Sequence, residues 1–420
     1  MNQQSTDLVQ PSGKGILRFG LTALLFAAVL ALSLSHDFFT STMVNPYLSL
    51  ALFSALIVLE MIRRSWVDLV CVLGGSLLLA LLDYRVMGFQ PAFMASFSFV
   101  GLAAFAVLGT RTAWAKGEDR KLLLYGFLPV VLFVGSEWMA STLLDLTERF
   151  HPKTFDLFLY SFDSSLRVQI SFLVGQVFHT WPWLWWVSFA FYIALPLPLA
   201  LVYAAHLRHS KSNALAVMIA FLVTGPLGVM FYNMLPACGP IHIFGPAFPW
   251  HPFSTADAMR MRVVPILVKG ARNAIPSLHM TWVLLVWWNS KGLPRWVRAI
   301  ALVFVWFTVL ATLGTGEHYF IDLVVAFPFS LMVQALCSFS LPFRSGERRT
   351  ACLFGIFVTL MWLVLLSFAT SFFWFSPLIP WTMIAATLGS SVYLWHRLLL
   401  ARSPALPIRS LAAAAAGGPR

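Results

Sequence analysis

Two groups of residues carry most of the reactive potential of this chain. His318 and Asp322 stand four positions apart, so on a continuing helix they share a face. A carboxylate one turn from an imidazole accepts its Nδ1–H, fixes the tautomer and leaves Nε2 free as a nucleophile or base. The duller alternative is a buried polar pair that stabilises a helix contact. The second group lies upstream in Lys269-Gly270-Ala271-Arg272-Asn273-Ala274-Ile275-Pro276-Ser277-Leu278-His279. Pro276 suits the first turn of a helix, where its missing N–H costs nothing. Ser277 and the free amides around it could then hold an anion at the positive helix end. Arg272 offers a planar, permanently charged fork for phosphate oxygens. His279 could protonate a leaving oxygen, because both forms of imidazole are accessible near neutral pH. Singly, His279 reads as an interface residue, and Arg272 and the more exposed Lys269 as lipid-headgroup contacts. An anion cradle, an oriented nucleophile and an acid together are the parts of phosphoryl transfer.

These groups must be positioned by membrane helices. The 420 residues are 59% hydrophobic and only 10% charged, whereas a soluble globule carries about 25% charged residues. Ionisable side chains at the ends of long apolar runs are costly and usually mark a working site. The 17 tryptophans and 38 phenylalanines suit interfacial belts and lipid-facing surfaces. A net charge of +12 does not indicate nucleic acid, because the basic residues are dispersed in short clusters between apolar runs, as in cytoplasmic loops. Cys71, Cys337 and Cys352 lie in apolar runs and Cys238 in a loop. That spacing offers no disulfide framework and no zinc site.

Apolar windows approaching the roughly 20 residues needed to span hydrocarbon fall near 16–36, 45–62, 66–82, 92–109, 121–144, 181–206, 213–235, 276–290, 299–317, 319–341, 351–374 and 381–399. The expected fold is therefore an all-α polytopic transmembrane bundle of about twelve helices. The first window is long and lacks a clear small-x-small site, so it reads as a spanning helix rather than a signal peptide. Residues 1–15 are polar, as is the tail after 399. Alternate loops hold Arg63 and Arg64; Arg111, Lys116, Arg120 and Lys121; Arg208 and Lys211; Lys291, Arg295 and Arg298; and Arg344, Arg348 and Arg349. The short loops of the other set hold only Arg85. This asymmetry puts both termini in the cytoplasm. It places Arg272, His279, His318 and Asp322 together on the non-cytoplasmic face of a cell or inner membrane.

The connection 145–180 mixes Phe155, Leu157, Phe158, Tyr160 and Phe162 with Asp156, Asp163, Lys153 and Arg167. That pattern suggests an interfacial helix at headgroup level, either covering a site or bracing the helices. Pro196, Pro198 and Gly225-Pro226 predict kinks.

Pro276-Ser277-Leu278-His279 followed by His318-Tyr319-x-x-Asp322 resembles the type 2 phosphatidic acid phosphatase superfamily. The Arg272-to-His279 context, with Tyr232-x-x-x-Pro236-Ala237-Cys238-Gly239-Pro240 upstream, looks most like its inositol-phosphorylceramide synthase branch. The resemblance covers residues 121–341, a six-helix core, and treats 1–120 and 342–420 as accessory helices and tail. It implies a lipid phosphate substrate, attack by His318 through a phosphohistidine, orientation by Asp322, proton delivery by His279 and phosphate binding by Ser277, with Lys269 nearby. Tyr232, Asn273 and Tyr319 would line the pocket. It implies no metal and no cofactor, names no protein partner, and leaves open whether water or a lipid hydroxyl is the acceptor. The superfamily's usual Lys followed by Arg-Pro is absent, and Ala311-Thr312 replaces the usual Ser-Arg. Arg272 is the residue expected to supply the missing cation.

A proton-coupled lipid transporter or flippase is the competing class, since about twelve helices with both termini inside is also a carrier plan. Against it, the ionisable residues gather at one face, and a carrier's coupling site lies near the midplane. A cysteine introduced at Glu317 should react with an impermeant maleimide only from the non-cytoplasmic side of sealed vesicles. Reaction only from the cytoplasmic side would reverse the topology.

Overall fold

The computed structural model describes residues 46–87 and 93–402. The window at 16–36, the polar start and the end of the tail lie outside the described residues. The other eleven windows each coincide with a helix or, at 181–206, with a bent helix pair. Among the described residues, six helices are long and apolar enough to cross a membrane, or seven if the bent pair is one span. This is the make-up of an integral membrane protein, and the described residues are all-α apart from one two-residue strand pair. The chain forms two compact units, divided between Val130 and Val131.

The first unit contains α1 (Pro46–Ile62), α2 (Trp66–Met87), α3 (Phe93–Trp114) and the start of α4 (Gly117–Phe150). Ala55, Leu59, Val72, Val100, Ala104 and Leu108 form its core. Asp68 is fully buried there and accepts from Arg111 Nε at 2.6 Å, with Arg63 Nε at 3.6 Å. Arg63 and Arg111 come from two of the loops that the charge pattern assigned to one membrane face.

In the second unit α4 continues and is followed by β1 (Lys153–Thr154), α5 (Asp156–Ser165), α6 (Ile170–Thr180), α7 (Pro182–Ile193), α8 (Pro196–Leu207) and α9 (Lys211–Met234). Then come α10 (Pro240–Phe244), α11 (Thr255–Arg260), β2 (Ile266–Leu267), α12 (Leu278–Asn289), α13 (Arg295–Gly314), α14 (Phe320–Leu336), α15 (Gly346–Phe368) and α16 (Leu378–Arg402). Pro196 and Pro198 open α8, and the chain bends by 46° between α7 and α8, as expected where proline removes a helical donor. Pro226, by contrast, sits inside the continuous α9.

Nearly every residue of α14 is buried, which fits a helix that is apolar all round and lies in a bundle interior. It packs against α5, α9, α12, α15 and α16. Trp362, Leu366, Ile384 and Trp395 of the last two helices join one core with residues of α5, α12 and α14. The two long connections meet as well: β1 pairs antiparallel with β2 through Lys153↔Leu267 and Thr154↔Ile266.

The segment expected to lie at headgroup level is different in the structure. In α5 every residue from Leu159 to Ser165 is buried, with Asp156. Phe162 packs edge-to-face on Trp362 and Phe373, with centroids 5.4 and 4.7 Å away, and Trp374 Nε1 donates to Ser161 Oγ at 3.1 Å. The amphipathic pattern reflects polar groups that bond to protein backbone, not to water. Of the two readings of this segment, the brace describes what is observed.

Gly355 marks a close approach of α15 to α14, because a Cβ there would stand 2.6 Å from the Pro328 carbonyl oxygen. Gly355→Val should therefore overpack this contact and cost about 1–3 kcal/mol, read as a lower melting temperature of the purified protein in detergent.

Candidate active site

His318 sits in the turn between α13 and α14 and is 2% exposed. The turn depends on Gly316, whose φ of +78° is left-handed backbone that favours glycine. The main chain of His318 is held on both sides: its N–H donates to the Thr312 carbonyl at 3.2 Å, and its carbonyl accepts from Ser171 Oγ at 2.8 Å. The ring is held too. Nδ1 lies 2.9 Å from the Ala274 carbonyl oxygen and 3.4 Å from Asp322 Oδ2. Both partners are acceptors, so Nδ1 carries the proton and Nε2 keeps its lone pair. Nε2 faces Ser277 Oγ at 3.2 Å.

The sequence pairing of His318 with Asp322 is thus present in space, but a backbone carbonyl is the nearer acceptor. Asp322 Oδ2 also takes the N–H of Tyr319, the N-cap of α14, at 2.8 Å. Ser277 is the N-cap of α12 and accepts the Met280 N–H at 3.4 Å. Pro276 lies just ahead of that cap rather than inside the first turn. The Ser277 N–H donates to the Asp322 carbonyl at 3.2 Å, which joins the starts of α12 and α14 directly. His279, on the first turn of α12, stacks on Tyr192 of α7 at 3.8 Å and meets the edge of Trp282 at 5.5 Å.

Upstream, the segment Pro236–Pro240 is wedged between the two motifs. The Ala274 N–H donates to the Ala237 carbonyl at 3.0 Å, and the Ile241 N–H donates to the Gly316 carbonyl at 3.0 Å. Gly239 adopts φ +125°, and a Cβ there would stand 2.4 Å from the Glu317 carbonyl oxygen. No larger residue fits between these strands of chain. Tyr232, on α9, and Tyr319 are buried around this junction. Asn273 is half-buried, and Lys269 is exposed.

Arg272 is 1% exposed and its fork is fully engaged. Nε donates to the His151 carbonyl at 2.8 Å. Nη1 donates to the Gly270 carbonyl and to Cys238 Sγ, the latter at 3.3 Å. Nη2 donates to the carbonyls of Pro152 at 3.1 Å and Val268 at 2.8 Å. A guanidinium has five N–H donors, so none is left for a phosphate oxygen. The fork that the sequence offers to a phosphate meets protein acceptors here. The residue ties the end of α4, Cys238 and the 268–272 loop into one wall.

Several residues of the site have no conspicuous sequence signal. Asp156 is buried, and burial pushes its carboxyl up, against hydrogen bonds from Thr154, Gly239 and Cys238. The amide bonds to it measure 2.8 Å from Gly239 and 3.1 Å from Cys238. Asp163 is likewise buried and is pushed up to about 8, with the amides of Phe320 and Ile321 pulling the other way. At the rim, the Glu317 carboxylate lies 3.5 Å from His242 Nε2 and raises the pKa of that imidazole. The amide partners of Asp156 and Asp163 lie 82 and 157 residues away in sequence, too far for local spacing to show them.

Arg272→Lys should lower activity and melting temperature together, because an ammonium has three donors and leaves buried carbonyls unpaired at about 1–3 kcal/mol each. A variant with raised KM and unchanged melting temperature would instead indicate direct contact with the substrate.

Residues 157–336 match the family model of the PAP2 superfamily. No curated protein and no solved structure matches the chain. The matched segment runs from within α5 to the last residue of α14, so it includes His279, His318 and Asp322. It supports the superfamily, whose members are generally phosphatases or phosphotransferases. With its apolar helices, the chain fits a membrane phosphatase-type protein.

Proposed function

We propose that this protein is an integral-membrane phosphoesterase or phosphotransferase that acts on lipid phosphates at the non-cytoplasmic leaflet through a phosphohistidine. One observation carries the reading: the His318 ring is gripped at Nδ1 by two acceptors while Nε2 faces a serine hydroxyl. A nucleophilic imidazole needs that arrangement. Nε2 attacks phosphorus, a P–N bond forms, and the P–O bond to the leaving group breaks as His279 delivers a proton to the departing oxygen. An acceptor hydroxyl then breaks the P–N bond and returns a proton to His279. The phosphate oxygens lie at the start of α12, where the helix end is positive and Ser277 can turn from Nε2 to an oxygen. Arg272 supports this seat from inside the wall with its charge and its grip on the loop.

Transfer to a lipid hydroxyl, as in the inositol-phosphorylceramide synthase-like branch, is a second outcome of the same chemistry. It is favoured by the Pro236–Pro240 segment, whose likeness to that branch coincides with direct packing on the turn of the nucleophile. Supplying a lipid alcohol should then divert product from inorganic phosphate to a new phospholipid.

Phosphate release from lipid phosphates by the purified protein provides the test. His318→Ala should abolish turnover. Asp322→Asn should cost about 10–100-fold, far less than the roughly 10⁴-fold loss seen when an orienting carboxylate alone sets the tautomer, because the Ala274 carbonyl still holds Nδ1–H. Unimpaired turnover in both variants contradicts the reading.

A further inference from the structure

Asp156 and Asp163 stand seven residues apart on α5, about two turns, and so share one face of the helix. Each directs its carboxylate at backbone amides of another segment. Asp156 holds Cys238 and Gly239, the stretch that carries the Ala237 carbonyl to Ala274. Asp163 Oδ2 accepts the Phe320 N–H at 2.7 Å, and Oδ1 accepts the Ile321 N–H at 3.3 Å. Phe320 and Ile321 are the first two residues of α14. Their amides have no partner within the helix and must be satisfied from outside. The next residue is Asp322, and two residues before Phe320 lies His318.

We propose that Asp163 is a positioning residue for the nucleophile: by capping α14 from α5 it fixes where His318 and Asp322 stand against Ala274 and Ser277. The inference rests on the reading of His318 as nucleophile. Three lines of geometry support it. The bonds fall on the helix end that the nucleophile's turn enters. The two acceptor oxygens of Asp163 lie at the end of that helix where free amides point outward. Asp163 itself is immobilised, since α5 is buried beneath α11, α14, α15 and the Thr370–Trp374 turn. Displacement of reacting groups by about 1 Å can cost about 100-fold in rate, so a loosened helix start should appear in the chemical step rather than in binding.

The experiment compares wild type, Asp163→Asn and His318→Ala in lipid phosphate turnover by the purified full-length protein. The asparagine is nearly isosteric but turns an NH₂ towards one of the two amides. It should lower kcat about 10–100-fold with KM within about twofold, while His318→Ala is inactive. If His318→Ala retains turnover, the nucleophile reading itself fails. If His318→Ala is inactive and Asp163→Asn keeps wild-type kcat, or loses only KM or only melting temperature, the positioning role is overturned. Should Asp163→Asn fail to fold, hydrogen exchange of the unmutated protein decides. The Phe320 and Ile321 amides should be protected about 1,000-fold or more, and exchange at the rate of an open loop overturns the proposal.

Discussion

The structure turns on how one imidazole is held. Inside a bundle, a polar ring without partners costs free energy, so each nitrogen of His318 must find a group that suits it. The Ala274 carbonyl and Asp322 both demand a proton from Nδ1, and Ser277 can donate to Nε2. The reactive lone pair is therefore a consequence of three neighbours, each held in place by something else. Ala274 is fixed by Ala237, Ser277 is bonded to the Asp322 carbonyl, and Asp322 closes on the Tyr319 amide.

The charges that make this possible sit in an apolar bundle because backbone groups satisfy them. α14 shows this at both ends. Asp163 and Asp322 meet the free amides at its start, and Arg348 donates to the Ala335 and Leu336 carbonyls at its end, each at 2.8 Å. Acceptor oxygens thus meet the free amides of the first turn, and a guanidinium meets the free carbonyls of the last, where positive charge is favoured. Arg272 follows the same rule, meeting four carbonyls and a thiol. These bonds hold segments that are far apart in sequence in a fixed relation around His318.

Much of this was legible from the sequence. Hydropathy located the long apolar helices, since a bilayer-length apolar run has few alternatives, but not the short helices α5, α6, α10 and α11; Pro196 and Pro198 marked the bend. The four-residue spacing of His318 and Asp322 predicted their proximity, although His318 stands in the turn ahead of α14 and not on a helix that continues through both. What could not be read was non-local. The Ala274 carbonyl has no side-chain signature, so the sequence does not reveal the nearer Nδ1 acceptor. Asp156 and Asp163 looked like the polar stripe of a surface helix, because composition does not reveal whether water or an amide will satisfy a carboxylate. Arg272 was expected to face an anion for the same reason: its charge is visible in the sequence, and the carbonyls that absorb its donors are not.

The central claim is that Nε2 of His318, and not Nδ1, is the atom that bonds phosphorus. Rapid quenching of the protein during turnover, with acid avoided, followed by mass spectrometry and phosphorus NMR of the trapped species, tests it most directly. The account predicts phosphate on His318 attached at Nε2. Phosphate attached at Nδ1, phosphate on His279 instead, or turnover with no phosphorylated histidine would contradict it.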